Sequence, residues 1–229
     1  MSHLHRALRM TATAVRANFL PGLLLQGLLL AFFVAYVTHE GTRAFLENIA
    51  HIKEESGYLF AFVCYAVTAG LLPEILRIAF FQSGRPTRRN LWLFLTAAPA
   101  WGCMGMLVDL LYRCQTGWFG AGNDLVTILQ KVAVDQLLYA PFIGNPLVIA
   151  WFIWRDERFR MSAWPKIFNP GFFLDRVYPV QVSSWIVWIP GVMVVYFMPP
   201  LLQVPVAVFI QTFWVLIFTT LGQEVDGTR

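Results

Sequence analysis

Six apolar stretches, each close to the length of a membrane-spanning helix, follow one another along this chain of 229 residues. A helix needs about 20 predominantly apolar residues to cross a bilayer. The sequence therefore predicts an all-α fold, a polytopic helical membrane bundle of five to six spans, with one integral membrane domain over residues 1–229. The six stretches are Phe19–Thr38, Gly57–Phe81, Leu91–Arg113, Lys131–Trp154, Val177–Met198 and Leu201–Leu221.

The last two stretches are separated only by Pro199 and Pro200. Such a short separation is compatible with a tight hairpin of two helices or with one long kinked segment. Whether this last region contributes one span or two stays open at the level of sequence.

Composition agrees with a membrane location. Hydrophobic residues make up 58% of the chain and charged residues 13%, with a mean hydropathy of +0.59. Soluble domains carry about 25% charged residues. The net charge of +4 is interpreted as an orientation signal for membrane insertion. We therefore expect the lipid bilayer as the main partner and no nucleic acid as a partner, and the sequence is compatible with a homo-oligomer.

Basic residues are distributed between the connections in a way that predicts orientation. With six spans and both chain ends inside, the four outer basic residues are Arg43, Lys53, Arg113 and Lys131. The twelve inner ones are Arg6, Arg9, Arg16, Arg85, Arg88, Arg89, Arg155, Arg158, Arg160, Lys166, Arg176 and Arg229. This bias predicts that both ends of the chain lie on the basic side of the membrane.

The N-terminal stretch MSHLHRALRMTATAVRAN is basic, and no acidic residue precedes Glu40. A mitochondrial-type presequence has this character. A positively charged flank of the first span has it too, and we favour that interpretation.

Catalytic and metal chemistry find little support in the sequence. Cys64, Cys103 and Cys114 show no paired spacing, and no histidine lies within an apolar stretch. We therefore expect no disulfide framework, no metal site and no cofactor. An intramembrane hydrolase needs a nucleophile with a base, or facing carboxylates. Asp109 and Asp135 lack the sequence context of such a pair, so we expect no catalytic residues and no enzyme.

Two charged pairs lie inside the apolar stretches. Glu74 and Arg77 are three residues apart, so a helix places them on one face. Pro73 precedes them and favours a kink. This pair is interpreted either as a charged pore lining or as a neutralised structural pair, and we slightly favour the structural pair. Asp109 and Arg113 are four residues apart, which favours a structural ion pair near the outer interface.

The fourth stretch contains the segment DQLLYAPFIGNP, which is unusually polar for a membrane helix. Pro141 and Pro146 remove backbone donors and leave carbonyl groups free. Free carbonyls at membrane depth are tolerated only against protein or a water-filled cavity. Because Asn145 lies at the same depth, we predict a proline-broken helix that faces a polar interior.

Asp135 and Gln136 begin this polar segment. The positive end of the helix dipole partly compensates a carboxylate at that position. Lys131 lies four residues earlier, a spacing that predicts an ion pair with Asp135.

The fifth stretch repeats the polar theme. Gln181, Ser184 and Trp188 share one helical face. Polar groups on such a face bind a neighbouring helix or line a water path, and the sequence leaves both interpretations open.

The letters DQLLYAP also resemble a family signature, D-Q-x-x-[FY]-A-P, of the Mpv-seventeen family, which includes the twenty-two-kilodalton peroxisomal membrane protein. The matching residues are Asp135, Gln136, Tyr139, Ala140 and Pro141. Weaker similarity follows in order along the chain at Arg77, Pro99, Arg113, Pro179, Pro190 and Trp214. The chain departs from the family pattern at Ala98, Tyr178, Gln181, Trp185, Ile186 and Val194 and around MPPLLQVP, which is typical of a divergent member.

This resemblance implies an integral membrane protein without a known catalytic reaction. Eukaryotic relatives lie in the mitochondrial inner or peroxisomal membrane, some are described as small-solute channels, and the family is usually assigned four spans. We therefore expect a channel or pore for an unknown small solute, with a non-conducting structural or assembly protein as the alternative. The resemblance implies one of those two membranes, and a bacterial cytoplasmic membrane stays open.

The candidate residues fall into two groups. The pore or polar-interior candidates are Asp135, Gln136, Tyr139, Pro141, Asn145, Gln181 and Ser184. The charge-pair candidates are Glu74, Arg77, Asp109 and Arg113.

Overall fold

A computed structural model describes the backbone of residues 3–226 and the side chains of residues 19–20 and 22–215. This described part contains helices and no strand, which confirms the predicted all-α fold. The side chains of the N-terminal basic stretch, and Arg229, lie outside it. The long helices are α1 (His3–Thr38), α2 (Glu40–Ser56), α3 (Tyr58–Phe81), α4 (Arg88–Phe119), α5 (Leu125–Asp156), α6 (Phe173–Phe197) and α7 (Pro200–Asp226).

Within the part of the chain that the structure describes, four helices, α3 to α6, are long and apolar enough to cross a membrane. A fifth candidate is the pair formed by Gly22–Thr38 and α2, which meet at an angle of 98°. The described apolar part of α7, Pro200–Val215, is shorter than a typical span. The count of four, or five with the bent pair, reaches the lower end of the five to six spans predicted.

Helix α2 forms the connection between the first two apolar stretches, which are Phe19–Thr38 and Gly57–Phe81. His39 begins it, because the His39 ring nitrogen accepts a hydrogen bond from the Thr42 backbone N–H at 3.2 Å. Leu46 and Lys53 are buried, whereas Glu47 and Glu54 are exposed. The helix therefore lies across one end of the bundle, with an apolar face against it.

The two loops rich in arginine meet at the other end of the bundle. Trp92, near the start of α4, contacts Phe159 in the loop after α5, with ring centroids 5.9 Å apart. Arg89 and Arg155 line one cavity there. We call this end the basic end and the opposite one the α2 end.

Glycine residues allow α3 and α4 to pack closely as antiparallel neighbours. A methyl group on Gly70 would lie 2.6 Å from the Ala98 Cα, and one on Gly105 would lie 2.6 Å from the Ala61 carbonyl oxygen. Such small-residue contacts are the usual means of close helix association in lipid. The pairing brings the α2 end of α3 beside Asp109.

The last two apolar stretches form a tight antiparallel hairpin. Helix α6 ends at Phe197 and α7 begins at Pro200, and the Trp188 and Trp214 rings lie 6.5 Å apart. Helix α1 runs parallel to α6, since Phe33 contacts Phe197 at its C-terminal end with ring centroids 5.1 Å apart. Helix α1 therefore starts, and α7 ends, toward the basic end.

Three proline-containing parts of the spans adopt wide π-helical turns, whereas Pro99 and Pro190 lie within α-helical turns. Proline has no N–H, so the α-helical ladder loses a bond, and a π-helical turn accommodates the loss. The predicted interruption of the fourth apolar stretch takes this form, and α5 continues as one helix of 32 residues. The π-helical segments near prolines are Ala66–Leu71 before Pro73, Val134–Gly144 around Pro141 and Phe173–Val177 before Pro179.

Pro190 in α6 creates a polar contact between helices. It removes the N–H that would bind the carbonyl of Ile186 in an α-helix. The Gln26 side chain of α1 supplies a donor instead, with its Nε2 3.1 Å from the carbonyl oxygens of both Ile186 and Val187. The missing helical bond is therefore replaced by one that joins α1 to α6.

The outward faces of the helices are apolar. Contiguous exposed apolar surface of this extent is unusual on a soluble monomer and is what a bilayer requires. These faces fit an integral membrane protein. Exposed residues on them include Leu59, Val63, Val67, Leu91, Leu95, Leu110, Leu137, Leu138 and Ile143.

Candidate functional site

A cavity of about 260 Å³ lies in the centre of the bundle, between α3, α4, α5, α6 and α7. We call it the central cavity. Its polar lining includes five of the sequence candidates, Asp135, Gln136, Tyr139, Asn145 and Ser184, together with Gln211. Its aromatic lining consists of Tyr65, Trp101, Tyr112, Tyr139, Trp188 and Trp214. Pro141 and Gln181 are buried beside this cavity and are not part of its lining.

Asp135 is held in the cavity wall by a chain of hydrogen bonds. The Tyr196 hydroxyl donates to Asp135 Oδ2 at 2.7 Å, and Gln136 Nε2 donates to Oδ1 at 3.0 Å. Gln115 Nε2 in turn donates to the Tyr196 oxygen at 2.7 Å. Asp135 is only 6% exposed. The carboxylate is therefore solvated by protein donors from α5 and α6, and Gln115 of α4 supports the α6 donor.

The predicted ion pair between Lys131 and Asp135 is wrong. Lys131 is buried, and its Nζ has no hydrogen-bond partner among the described residues. It lies 6.0 Å from the centroid of the Tyr196 ring. A spacing of four residues brings side chains together in α-helical turns, but α5 is π-helical over Val134–Gly144. The change of pitch turns Asp135 toward Tyr196.

The Gln136 carbonyl explains why Gln181 faces this region. In a π-helical segment a carbonyl bonds the N–H five residues later, and for Gln136 that residue is Pro141, which has no N–H. Gln181 Nε2 donates to the Gln136 oxygen at 3.3 Å, and Trp185 Nε1 donates at 3.2 Å. Asn145 Nδ2 then donates to Gln181 Oε1 at 2.6 Å. These bonds join α5 to α6.

A second cavity, of about 480 Å³, opens at the basic end. We call it the vestibule. Glu74 lies in its wall and accepts from Arg77 NH1 at 2.5 Å and from Asn90 Nδ2 at 2.9 Å. The predicted pair of Glu74 and Arg77 is thus confirmed. Arg89 and Arg155 also line the vestibule, so it contains more positive than negative charge.

A third cavity, of about 200 Å³, lies at the α2 end. Asp109 lines it and binds Arg113, with Arg113 Nε 3.2 Å from Oδ1, as predicted. A second cation was not foreseen: Lys53 Nζ lies 2.7 Å from Asp109 Oδ2. This cation comes from α2, where Lys53 shares one helical face with Leu46, Ile49 and Ala50. That spacing is the signal that could have placed Lys53 inward, once the segment is treated as an amphipathic helix.

The three cavities lie in series along the bundle. Trp101 lines both the vestibule and the central cavity, and Tyr112 lines both the central cavity and the cavity at the α2 end. Both residues belong to α4, whose length runs past all three spaces. The two aromatic side chains therefore lie at the borders between neighbouring cavities.

The structure brings most of the α5 candidates together at one cavity, and the sequence missed their partners. Tyr196 and Trp101 lie in apolar or aromatic sequence, and Gln115 lies in the polar end of an apolar stretch. Neither context gave a reason to select them. Their roles depend on which helices are neighbours. Among the described residues there is no group of three histidine, cysteine or acidic side chains that could hold a metal ion.

Comparisons with family models, with curated proteins and with solved structures find no match to this chain. The resemblance to the Mpv-seventeen family therefore rests on the sequence motifs described above.

Proposed function

We propose that this chain is an integral membrane protein that conducts a small solute along a path through the central cavity. The observation that carries the proposal is the lining of that cavity by Asp135, Gln136 and Asn145. Ionisable and amide side chains within membrane spans are costly and commonly mark solute or ion pathways. The proposed function is thus a channel or pore.

The serial arrangement of the three cavities supports this proposal. A path from the vestibule to the α2 end would pass Trp101 and then Tyr112. In this proposal the two rings at the borders between the cavities act as barriers, and the present arrangement is the closed state. Conduction would require these aromatic side chains, or the helices that carry them, to move.

A relationship to the Mpv-seventeen family is also part of the proposal. It is supported by the match of Asp135, Gln136, Tyr139, Ala140 and Pro141 to the family signature. By that resemblance the membrane would be the mitochondrial inner or the peroxisomal one. A bacterial cytoplasmic membrane is the alternative.

A second candidate function is a structural or assembly protein that conducts nothing. The observation in its favour is that the polar groups have partners in neighbouring helices. Tyr196 binds Asp135, and Gln181 binds both Asn145 and the Gln136 carbonyl. Polar contacts of this kind hold membrane helices together.

Measuring the ion permeability of the Asp135→Asn variant in reconstituted liposomes distinguishes the two candidate functions. A unit charge acts on an ion roughly 8 Å away with about 2 kcal/mol at an effective dielectric constant near 20. Removing it should lower the permeability to a cation and raise that to an anion, each by roughly thirtyfold, and so lower the ratio of cation to anion permeability. Asp124→Asn is the matched control, because Asp124 is an exposed helix cap on the same α5 and asparagine caps equally well.

The outcomes of this measurement differ for the two candidates. A channel predicts altered selectivity for Asp135→Asn, unaltered selectivity for Asp124→Asn, and an intact fold in both. A structural protein predicts a loss of stability for Asp135→Asn with no permeability to alter. A wild-type protein that passes no small solute at any voltage or redox condition would refute the channel.

Accessibility of the central cavity tests the role of Trp101 independently of conduction. Ser184→Cys places a thiol in that cavity, after Cys64, Cys103 and Cys114 have been replaced by serine. Trp101→Ala should increase its labelling rate by a membrane-impermeant maleimide added at the basic end. An unchanged rate would show that Trp101 does not separate the vestibule from the central cavity.

A further inference from the structure

The vestibule at the basic end has an excess of positive charge. Arg77, Arg89 and Arg155 line it together with a single acid, Glu74. The three arginines come from three different helices, α3, α4 and α5. A cavity with this lining attracts anions, because low-dielectric walls strengthen the field of fixed charges.

Glu74 leaves this excess uncompensated. Its two carboxylate oxygens are occupied by Arg77 and by Asn90. It therefore neutralises one guanidinium group, and Arg89 and Arg155 remain for a ligand.

Arg89 and Arg155 differ in the contacts that their side chains form with other residues. Arg89 forms no ion pair or hydrogen bond with any side chain in the described part of the chain. Arg155 binds Asp156, but Asp156 is 66% exposed, and exposed ion pairs contribute little. Arg155 also lies over the Phe152 ring, 4.6 Å from its centroid, which holds its guanidinium group at the vestibule wall.

We propose that the vestibule binds a phosphate group through Arg89 and Arg155, with Arg77 and Asn90 beside it. Guanidinium groups bind phosphate oxygens through paired, charge-assisted hydrogen bonds. The volume of about 480 Å³ lies in the range of small-molecule sites. Trp101 and Phe152 add an aromatic surface for the body of a phosphate-bearing molecule.

The phosphate group has two sources, a small phosphorylated solute or the headgroup of an anionic lipid. Both would present the same oxygens to the same arginines. The site is separated from the central cavity by Trp101, so its existence does not depend on conduction.

The test uses the full chain in nanodiscs. In the first arm the nanodiscs contain only phosphatidylcholine, and inorganic phosphate is titrated while its phosphorus NMR line is followed. In the second arm phosphatidic acid is added to the nanodiscs, and its retention is measured by native mass spectrometry. Arg89→Gln and Arg155→Gln are compared with Arg88→Gln and Arg160→Gln, which remove the same charge from exposed arginines outside the vestibule lining.

We expect each lining variant to weaken phosphate binding by about tenfold, the loss of one charge-assisted contact. The two control variants should change it by less than about twofold. Dependence on Arg89 and Arg155 in the first arm identifies a free phosphate-bearing solute, and dependence in the second arm alone identifies a lipid headgroup. Absence of binding in both arms, or equal losses for lining and control variants, would overturn the proposal.

Discussion

Lys53 gives the sharpest stability prediction, because two cations share one carboxylate in very different surroundings. The side chains of Lys53 and Asp109 are 3% and 4% exposed and their charged atoms are 2.7 Å apart. Arg113 reaches the other oxygen of Asp109 at 3.2 Å, but its side chain is 49% exposed. Removing each cation in turn therefore tests how burial of the cation changes its contribution to stability, while Asp109 stays the same.

Lys53→Met should destabilise the protein by about 3–5 kcal/mol, because it leaves a buried carboxylate without its buried partner. Arg113→Gln should destabilise it by about 0–1 kcal/mol, since an exposed pair is screened by solvent. The double variant Lys53→Met with Asp109→Leu should lose less stability than Lys53→Met alone, because no buried charge is stranded and the remaining cation, Arg113, is half exposed.

Reversible unfolding with SDS in dodecyl maltoside micelles measures these differences. Circular dichroism at the helical minimum follows the transition. Equal losses for Lys53→Met and Arg113→Gln would refute the reasoning. So would a double variant that is less stable than Lys53→Met, because the carboxylate would then contribute without its partner.

Three further predictions concern the helices. Gln26→Leu should cost about 1–3 kcal/mol by leaving a buried carbonyl without a donor, and Pro190→Ala should recover part of that loss in the same unfolding assay by restoring a backbone N–H. Pro141→Ala should allow α-helical turns to return in α5 and should lower total conductance in liposomes; equal or higher conductance would contradict this. Cysteines introduced at Ser2 and Thr228 should both be labelled from the same side of the membrane, and labelling from opposite sides would contradict the positive-inside assignment.

The polar residues of α5 have two roles that are usually considered exclusive. Asp135 and Asn145 are bonded to α6 and also line the central cavity. Such bonds position the side chains and leave part of each group facing the cavity. A polar lining held in this way stabilises the bundle whether or not a solute passes, so stability and permeability must be measured on the same variants.

Local pairs were predictable because they depend only on helical spacing. Glu74 with Arg77 and Asp109 with Arg113 were found this way. The same rule failed for Lys131 with Asp135, where π-helical turns intervene. The presence of Pro141 signals an irregularity, but the sequence does not specify whether a helix responds by kinking, breaking or widening.

The sequence by itself determined the all-α fold, because runs of this length and apolarity can satisfy their backbone groups in lipid only within a helix. It also determined that the segment from Asp135 to Asn145 is polar at membrane depth. Only the tertiary structure decided which side chains of other helices bind these polar groups. Tyr196 reaches Asp135 across 61 residues, and Lys53 reaches Asp109 across 56. Gln115 binds Tyr196 across 81 residues. Helix adjacency over such separations is set by packing of whole faces. Local sequence spacing carries no information about those contacts, and so the cavities and their aromatic separations appear only in the folded bundle.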